Sequence, residues 1–553
     1  MRQIPLRLWL MAVLSGILQV LPFPIAGPTP LWRTAFCWIA LLPLLWALLD
    51  RDKTGSPLNL RQSALLGYLC GFVWYLGNCY WIYQTMYLYG GLAKPIAAGI
   101  LVLFCLYLGL YHALFAALLA ICRRRFNRQA ALILVPFIWV AVELARARIT
   151  GFPWDQLGIA QVDNSLLTRL APITGVYGLS FIIAAVNALW LVRIRIREQR
   201  YTRPILTVTG VVIVLLYVVA LHHFHTSIYF ETTAKATLIQ ENLAVGAERA
   251  GPELSVEQLI DSFSRLSLHP PRSRCNGIPE LSSTTCIVFV APPQSVQDAS
   301  VPTPTDLIVW PEAPAPFAED DPRFRSGMSS LARTAHAAVI VNNLGISRNP
   351  DSSSSRIFDR FNSASFITPD GTFAARYDKM HLVPFGEYVP FKSLFFFAGS
   401  LLAEAGNLSP GTRRTVFTYD GHHYGTFICY ESTFADEVRL FVLEGADVLV
   451  NISDDGWYGD TSAPWQHLNM VRMRAVENHR WVLRSTNTGV TAVINPYGQV
   501  TASAPRHIRT ALRAGFGYEH DITFYTAHGD IFAYFCAIIT ALTFVFSLKP
   551  RMN

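Results

Sequence analysis

Residues 425–432 read Gly425-Thr426-Phe427-Ile428-Cys429-Tyr430-Glu431-Ser432, and they predict a strand that turns sharply into a helix. The alternating apolar residues before the cysteine are typical of a buried β-strand. Ser432 is the predicted N-cap of a helix over 433–444. A helix N-terminus offers N–H groups and partial positive charge, which favour a thiolate at Cys429 and can hold an oxyanion. A lone cysteine is more often a buried core residue, so the rest of the chain must decide between the two interpretations.

The composition separates an apolar half from an ordinary globular half. The chain has 553 residues, of which 52% are hydrophobic and 15% charged, whereas soluble domains have about 25% charged residues. The apolar excess lies in residues 8–222 and near the C-terminus, and 231–528 has the composition of a globular domain. The net charge of +7 comes from arginines beside apolar segments. It therefore indicates membrane topology, and we expect no nucleic-acid partner.

Eight apolar segments are long enough to cross a lipid bilayer, which takes about 17–25 residues. They are 8–26, 33–49, 63–84, 96–122, 129–146, 167–192, 204–222 and 530–548. The first segment has no cleavage site of small residues and is followed at once by further spans, so we expect a retained anchor. The sequence thus predicts a membrane domain of seven helices over 1–222 and an eighth helix with a tail over 530–553.

Arginine and lysine residues set the orientation of these spans. They cluster in every second loop, after the second, fourth, sixth and eighth segments. By the positive-inside rule, these loops and both termini are cytoplasmic. Residues 223–529 are then predicted to form a domain on the opposite side of the membrane.

Short apolar runs alternate with helical patterns in this outer region. Strands are predicted at 236–240, 306–310, 338–343, 361–367, 373–377, 415–420, 424–428, 447–452, 482–486 and 490–495. Helices are predicted at 254–268, 323–336, 433–444 and 465–480. The pattern predicts an α/β layered domain around a central sheet.

A Pro-, Ser- and Thr-rich segment at 269–304 is predicted to be an inserted surface loop. It contains Cys275 and Cys286, and a disulfide between them is plausible outside the cytoplasm. Six other cysteines lie in or beside the apolar segments, where we expect packing residues. Cys429 is then the one cysteine of the outer region without an obvious partner.

Two further stretches supply charges that the chemistry of a thiol requires. Residues 306–314 place Glu312 at a strand end between prolines, and residues 376–388 supply Lys379 and Glu387. A thiol that attacks a carbonyl needs a base, and Glu312 suits that role if burial raises its pKa. The oxyanion needs donors, for which Lys379 and the backbone N–H of the residue after the cysteine are candidates. Glu387 is a candidate for orienting the lysine or the incoming nucleophile.

Glu312, Lys379 and Cys429, in this order, resemble the Glu-Lys-Cys triad of the nitrilase (carbon–nitrogen hydrolase) superfamily. The resemblance implies an α-β-β-α sandwich over residues 223–529. It also implies that the cysteine is the nucleophile, and that the lysine and the Tyr430 N–H bind the oxyanion. We expect neither a cofactor nor a metal.

Longer strings are similar to those of the bacterial apolipoprotein N-acyltransferase family. They are Trp-Pro-Glu-Ala at 310–313, Lys-x-His-Leu-Val-Pro-Phe-Gly-Glu-Tyr-Val-Pro at 379–390 and Cys-Tyr-Glu at 429–431. Residues 451–459 resemble a segment that flanks the cleft in this family, which makes Trp457 a candidate site residue. Glu431, the last residue of the Cys-Tyr-Glu string, is another candidate. The chain departs from the family at Asp454, where asparagine is usual, and in the length of its insert.

The resemblance implies an acyl transfer in two steps at the bacterial inner membrane, with the catalytic domain in the periplasm. Cys429 takes an acyl chain from a phospholipid, with phosphatidylethanolamine as the expected donor. The α-amino group of a diacylglyceryl-cysteine at the N-terminus of a prolipoprotein then accepts the chain, which completes lipoprotein maturation. We expect a monomer that follows ping-pong kinetics.

Two other functions fit parts of the sequence. A membrane-tethered amidase or nitrilase uses the same triad, with water as the second nucleophile. A transporter with an outer ligand-binding domain predicts charged or broken helices near the bilayer midplane, and few are present. The polytopic scaffold favours transfer between two lipid-anchored substrates.

Overall fold

The computed structural model has a helical part followed by a sheet domain. It describes residues 3–50, 57–126, 128–195, 211, 232–245, 254–271, 273–275, 286–288, 302–312, 317–349, 357–388 and 408–548. We use "helical part" for residues 3–195 and "sheet domain" for residues 232–528. The predicted span at 204–222 lies outside the described residues except for residue 211, as does most of the insert at 269–304.

Apolar helices build the helical part. They are α1 (Leu6–Val20), α2 (Leu31–Thr34), α3 (Leu42–Leu48), α4 (Leu60–Asn78), α5 (Trp81–Gln84), α6 (Lys94–Arg125), α7 (Arg128–Ala145), α8 (Ala171–Thr174) and α9 (Val176–Arg195). A capping box starts α4, in which Asn59 and Gln62 exchange side-chain to backbone hydrogen bonds at 2.9 Å. Helix α4 then packs closely on α6 at Gly67, where an added Cβ atom would lie 2.4 Å from the His112 oxygen.

Four segments among the described residues are long and apolar enough to cross a membrane. They are Leu31–Leu48, Lys94–Arg125, Ala130–Thr150 and Ile531–Leu548. Leu6–Val20 and Val176–Leu191 are apolar but shorter, and Pro22 and Pro24 follow the first of them, which stops that helix early. The prediction of several apolar helices is confirmed, whereas eight spans are not.

Two six-stranded sheets form the sheet domain. The strands are β1 (Ala234–Gln240), β2 (Ser273–Cys275), β3 (Cys286–Val288), β4 (Leu307–Val309), β5 (Ala338–Arg348), β6 (Phe358–Ile367), β7 (Phe373–Asp378), β8 (Val416–Tyr419), β9 (His422–Ile428), β10 (Val448–Ser453), β11 (Val482–Thr486), β12 (Ala492–Ile494), β13 (Val500–Ser503) and β14 (Thr510–Phe516). The strand orders are β14-β1-β4-β5-β6-β7 and β13-β12-β11-β10-β9-β8, and β2 pairs with β3 in a small hairpin.

The helices that cover the two sheets are α10 (Val256–Leu268), α11 (Pro322–Ala335), α12 (Ala435–Leu443) and α13 (Ala463–Asn478). Two more helices, α14 (Phe524–His528) and α15 (Ile531–Leu548), follow them along the chain. In β1, Ile239 packs with α10 and α11, whereas its neighbour Leu238 packs in a core that joins both sheets, α12 and α13. Because neighbouring strand residues point to opposite faces, the layers are α-β-β-α, as the resemblance implies.

The ten predicted strands and four predicted helices of this domain are all present. Strands β13 and β14 were not predicted, because the alternation over residues 500–503 is only four residues long and residues 510–516 lack a clear one. Strand β14 pairs antiparallel with β1 over its whole length, from Ala234 opposite Phe516 onward. This pairing makes β14 the edge strand of the first sheet.

An arginine of the helical part holds the sheet domain. Arg148, in the π-helical turn after α7, forms ion pairs with Asp436 in the first turn of α12 and with Asp530 just before α15. Helix α15 packs on α7 and α6. The helix that follows the predicted nucleophile is therefore fixed to the apolar bundle.

Candidate active site

Strand ends bring the predicted triad together. Glu312 follows β4, Lys379 follows β7 and Cys429 follows β9, so each residue stands where its strand leaves the sheet. β4 and β9 lie next to parallel strands in different sheets. Because the two sheets pack face to face, one edge of the sandwich carries all three side chains.

Lys379 lies between two carboxylates. Its Nζ is 3.3 Å from Glu312 Oε1 and 2.9 Å from Glu387 Oε1. Asn362 Nδ2, from β6, donates to the same two oxygens at 2.7 Å each. The lysine side chain is 1% exposed. The sequence analysis missed Asn362, since a polar residue inside a strand gives no local signal of its partners.

Backbone groups fix both carboxylates. Glu312 Oε2 accepts from the Asp454 N–H at 3.0 Å, and Glu387 Oε2 accepts from the Val383 N–H at 2.7 Å. Each carboxylate thus has one oxygen on the backbone and one on Lys379. Glu387 consequently lies where it was predicted to orient the lysine.

Burial and charge set the protonation states at the centre. Burial by itself lowers the pKa of Lys379, but the carboxylates of Glu312 and Glu387 outweigh it, so this pKa is raised and the lysine is a cation. Burial and the charge of Glu312 raise the pKa of Cys429 well above its ordinary value, against the opposing charge of Lys379. The resting sulfur is therefore a thiol that needs a base. The expectation of a thiolate favoured by the helix N-terminus is wrong.

The backbone at the nucleophile is strained. Cys429 has a φ of +50°, a left-handed conformation that costs a residue with a side chain about 1–3 kcal/mol. A five-residue 3₁₀ turn, Cys429–Thr433, separates β9 from α12. Ser432 is not the helix cap: its Oγ lies 2.6 Å from His467 Nε2, and Phe434 precedes the helix. The predicted direct turn from strand into helix is thus replaced by a tight intermediate turn.

Glu431 fixes this corner from behind. Its Oε2 accepts from the Ile428 N–H at 2.7 Å, and its Oε1 accepts from Tyr377 Oη and the Met380 N–H at 2.7 Å each. The side chain is buried. Glu431 therefore joins the cysteine turn to the loop that carries Lys379, which is a positioning role.

Tyr430 and Trp457, the other two predicted site residues, differ in their surroundings. Tyr430 is buried, and its hydroxyl donates to the Gly151 oxygen of the helical part at 2.7 Å. Trp457 is 42% exposed on the turn that follows β10. The adjacent Tyr458 is buried against Trp81 of the helical part, with ring centroids 5.1 Å apart. Contacts with the helical part thus reach both turns.

Asp454 behaves like the asparagine that is usual in the family. Burial and the charge of Glu312 raise its pKa well above its ordinary value, which favours the neutral carboxyl group. Its Oδ1 accepts from the Gly456 N–H at 3.0 Å and from Asn487 Nδ2 at 3.3 Å, as an asparagine oxygen would.

One group among the described residues has ligand atoms spaced for a metal ion. It consists of His479, Glu519 and Asp521, whose ligand atoms lie within 4.8 Å of one another. His479 Nδ1 is 2.9 Å from the Asp521 carboxylate, and Arg480 Nη1 lies 3.5 Å from it. Since ion pairs already account for this group, we assign it no metal.

Comparisons with known proteins assign both parts of the chain. The apolipoprotein N-acyltransferase N-terminal domain matches residues 15–189, and the carbon-nitrogen hydrolase domain matches residues 293–514. An apolipoprotein N-acyltransferase of Geobacter metallireducens is 34% identical over 98% of this chain and 96% of its own length. The chain belongs to the apolipoprotein N-acyltransferase family.

Another apolipoprotein N-acyltransferase, from Haemophilus influenzae, is 28% identical over 99% of this chain and 96% of its own length. Among solved structures, an amidase from Nesterenkonia sp. aligns with a TM-score of 0.35 and 16% identity, over 56% of this chain and 98% of its own. Membership of the apolipoprotein N-acyltransferase family confirms the resemblance of the motifs. It makes the chain an acyltransferase with a nitrilase-like domain.

Proposed function

We propose that this chain transfers an acyl chain from a membrane phospholipid to the α-amino group of the diacylglyceryl-cysteine of an apolipoprotein. The observation that carries the proposal is the ion-paired cluster of Glu312, Lys379 and Glu387, in which the charges of Glu312 and Lys379 act on the buried Cys429. It stands in a chain of the apolipoprotein N-acyltransferase family. Burial, a base and a fixed cation are what a thiol nucleophile requires.

In the first step, Glu312 takes the proton of the Cys429 thiol, and the sulfur attacks the ester carbon of the phospholipid. The new S–C bond moves the carbonyl electron pair onto oxygen, where Lys379 and the Tyr430 N–H stabilise the oxyanion. The oxyanion collapses and breaks the ester C–O bond. The lysophospholipid leaves with the proton from Glu312, and a thioester remains on the cysteine.

In the second step, the α-amino group of the acceptor attacks the thioester carbon. The same donors hold the second oxyanion while Glu312 takes a proton from the nitrogen. Collapse breaks the S–C bond and forms the amide. The proton on Glu312 returns to the sulfur, so Cys429 ends as the thiol from which it started.

Glu387 and Trp457 support this site in different ways. Glu387 keeps Lys379 in place through the 2.9 Å contact and leaves Glu312 available as the base. Trp457 offers an exposed aromatic surface on the turn that follows β10, which suits contact with an acyl chain. We take phosphatidylethanolamine as the donor and a monomer as the active form.

For the topology, we propose seven spans in residues 1–222, a periplasmic catalytic domain over 223–529 with the insert at 269–304, and an eighth span in 530–553. Both termini are then cytoplasmic. The arginines that end α6 and the other basic loops support this orientation. It places the thiol on the side of the membrane where lipoproteins mature.

The alternative is a membrane-tethered amidase or nitrilase, favoured by the carbon-nitrogen hydrolase match over 293–514. One experiment separates the two functions. The purified full chain is incubated with phosphatidylethanolamine in micelles, and its intact mass is followed before and after addition of a diacylated lipopeptide. An acyl adduct on Cys429 that the lipopeptide discharges, and water does not, supports transfer. An adduct that water discharges equally fast supports the hydrolase, and the absence of any adduct contradicts the thioester.

A further inference from the structure

A buried histidine that has no role in the proposed mechanism contacts the backbone of the nucleophile. His467, from α13, has a side chain with 0% exposure. Its Nε2 is 3.1 Å from the carbonyl oxygen of Cys429 and 2.6 Å from Ser432 Oγ. Its Nδ1 is 2.8 Å from Asp455 Oδ1. The ring therefore bridges a carboxylate and the strained cysteine turn.

The partners of the ring determine where its protons are. Burial alone raises the pKa of Asp455, but the charges of Arg484 and His467 outweigh it, so the pKa is lowered and the carboxylate is ionised. Arg484 Nη2 lies 2.6 Å from the second oxygen, Oδ2. The Asp455 carboxylate and the Cys429 carbonyl oxygen act only as acceptors, so a ring N–H that faces either group donates to it.

Aromatic contacts fix the ring from the membrane side. Trp154 of the helical part stacks on His467 with centroids 5.8 Å apart and an interplanar angle of 28°. Trp154 Nε1 donates to Gln466 Oε1 at 2.8 Å, and Gln466 Nε2 donates to the Asn78 oxygen at 3.1 Å. Tyr458 meets the ring edge-on at 6.4 Å. The imidazole thus has one orientation, set jointly by both parts of the chain.

The carbonyl that His467 holds belongs to the peptide group of the Tyr430 N–H. A peptide group is planar and trans, so its C=O and N–H point in opposite directions. Fixing the oxygen therefore fixes the direction of the N–H, and a hydrogen bond to the oxygen also polarises the N–H. We propose that His467 is a positioning residue that orients the Tyr430 N–H toward the oxyanion. This inference rests on the proposed function, in which that N–H stabilises both tetrahedral intermediates.

The kinetic consequence is specific. Loss of the His467 contact slows acylation of the cysteine and transfer to the amine by similar factors, because both steps pass through an oxyanion. Substrate binding is unaffected, since the ring touches no substrate. Deleting an oxyanion donor outright costs about 10²–10³-fold in rate, so misorienting one should cost about 10–100-fold.

Two variants of the full chain separate hydrogen bonding from packing. His467→Phe keeps a flat ring on Trp154 but removes both ring nitrogens. His467→Gln places an amide N–H near the position of Nε2. We measure single-turnover acylation by intact mass, transfer to a diacylated lipopeptide, KM for both substrates, and affinity for a long-chain aldehyde. The Cys429 thiol adds to the carbonyl group of the aldehyde. The tetrahedral adduct places the former carbonyl oxygen at the oxyanion position.

The expected result is that His467→Phe slows both steps about 10–100-fold and weakens the aldehyde complex by a similar factor, with KM nearly unchanged. His467→Gln recovers most of the loss. If thermal unfolding shows that His467→Phe is not folded, His467→Asn is used instead. Its shorter amide group reaches Asp455 but not the Cys429 carbonyl. The proposal is overturned if a folded His467→Phe or His467→Asn variant keeps the wild-type rates and aldehyde affinity. It is also overturned if His467→Gln is as slow as His467→Phe or His467→Asn. Failure of the proposed function looks different, because the wild-type protein then forms no acyl adduct that the lipopeptide discharges faster than water.

Discussion

The hydroxyl group of Tyr430 donates a hydrogen bond to the carbonyl oxygen of Gly151 at 2.7 Å. Tyr430 directly follows the nucleophile, and Gly151 lies in the helical part just after the π-helical turn that carries Arg148. The residue whose N–H is proposed to stabilise the oxyanion is thus tied by its side chain to the helical part. The active site of this acyltransferase is therefore supported from both parts of the chain.

Tyr430→Phe tests this tie. The variant keeps the ring that packs edge-on against Phe434 at 5.2 Å and loses the hydrogen bond, which is worth about 0.5–1.5 kcal/mol. We expect the acylation rate to fall about threefold to tenfold, with KM unchanged, because the turn relaxes. Tyr518→Phe is the control, since its hydroxyl lies 2.9 Å from that of Tyr424 within the sheet domain. Equal rates in both variants would show that the contact with Gly151 does not support catalysis.

Cys429→Ala should lose the thioester and reduce acyl transfer by at least about 10³-fold, since no other step replaces the nucleophile. The matched control is Cys536→Ala, which removes a buried thiol of α15. Intact mass after incubation with phosphatidylethanolamine should show the adduct in the control only. Transfer at the wild-type rate by Cys429→Ala would falsify the assignment of the nucleophile.

Replacing Glu312 is predicted to make the Cys429 thiol easier to ionise and yet to slow acyl transfer. The negative charge of Glu312 is one cause of the raised thiol pKa, so Glu312→Gln should lower that pKa and shift alkylation by iodoacetamide to lower pH. Acyl transfer should fall about 10²–10⁴-fold in the same variant, because the base is gone. Glu319→Gln, which removes the carboxylate paired with Arg376, is the control. An alkylation profile that stays in place or moves to higher pH contradicts the charge coupling.

Asp454→Asn should stabilise the protein at neutral pH. The pKa of Asp454 is raised in the fold, so the unfolded chain releases its proton first as pH rises above about 3.9, and the folded state loses stability from there up to the raised pKa. Asparagine removes this penalty and keeps the oxygen that accepts from Gly456. Thermal unfolding at several pH values should show a gain that grows with pH, and Asp320→Asn at an exposed position should show none. A gain largest at acid pH would reverse the assigned charge state.

Cys275 and Cys286 remain a predicted disulfide. The β2–β3 hairpin pairs these two residues directly across its antiparallel strands, where Cβ atoms are about 4.5–5.5 Å apart. Non-reducing peptide mapping of protein from an oxidising compartment should recover the two peptides linked, with Cys429 unlinked. Free thiols at both positions would exclude the bridge.

The strings around Glu312, Lys379 and Cys429 were sufficient to predict the triad and the layers, because each string combines a strand with a chemically distinctive end. Asn362 and His467 were missed because their roles depend on register and packing between distant segments. The raised pKa of Cys429 was not predicted for the same reason, since it comes from burial and from the charge of the distant Glu312. The number of spans stays a prediction, because four segments among the described residues are long and apolar enough to cross a membrane and residues 204–222 lie almost entirely outside that part of the chain.

The pairing of β1 with β14 also bears on how the sheet domain is joined to the rest of the chain. Ala234 and Phe516 are direct partners, so the sheet domain begins and ends at neighbouring positions on one edge. A domain whose ends meet can be placed within another gene without pulling either fold apart. The β1–β14 pairing therefore lets the sheet domain stand between two apolar helical segments of one chain without distorting either. It also means that the catalytic domain can be exchanged between relatives by cutting at just two adjacent points.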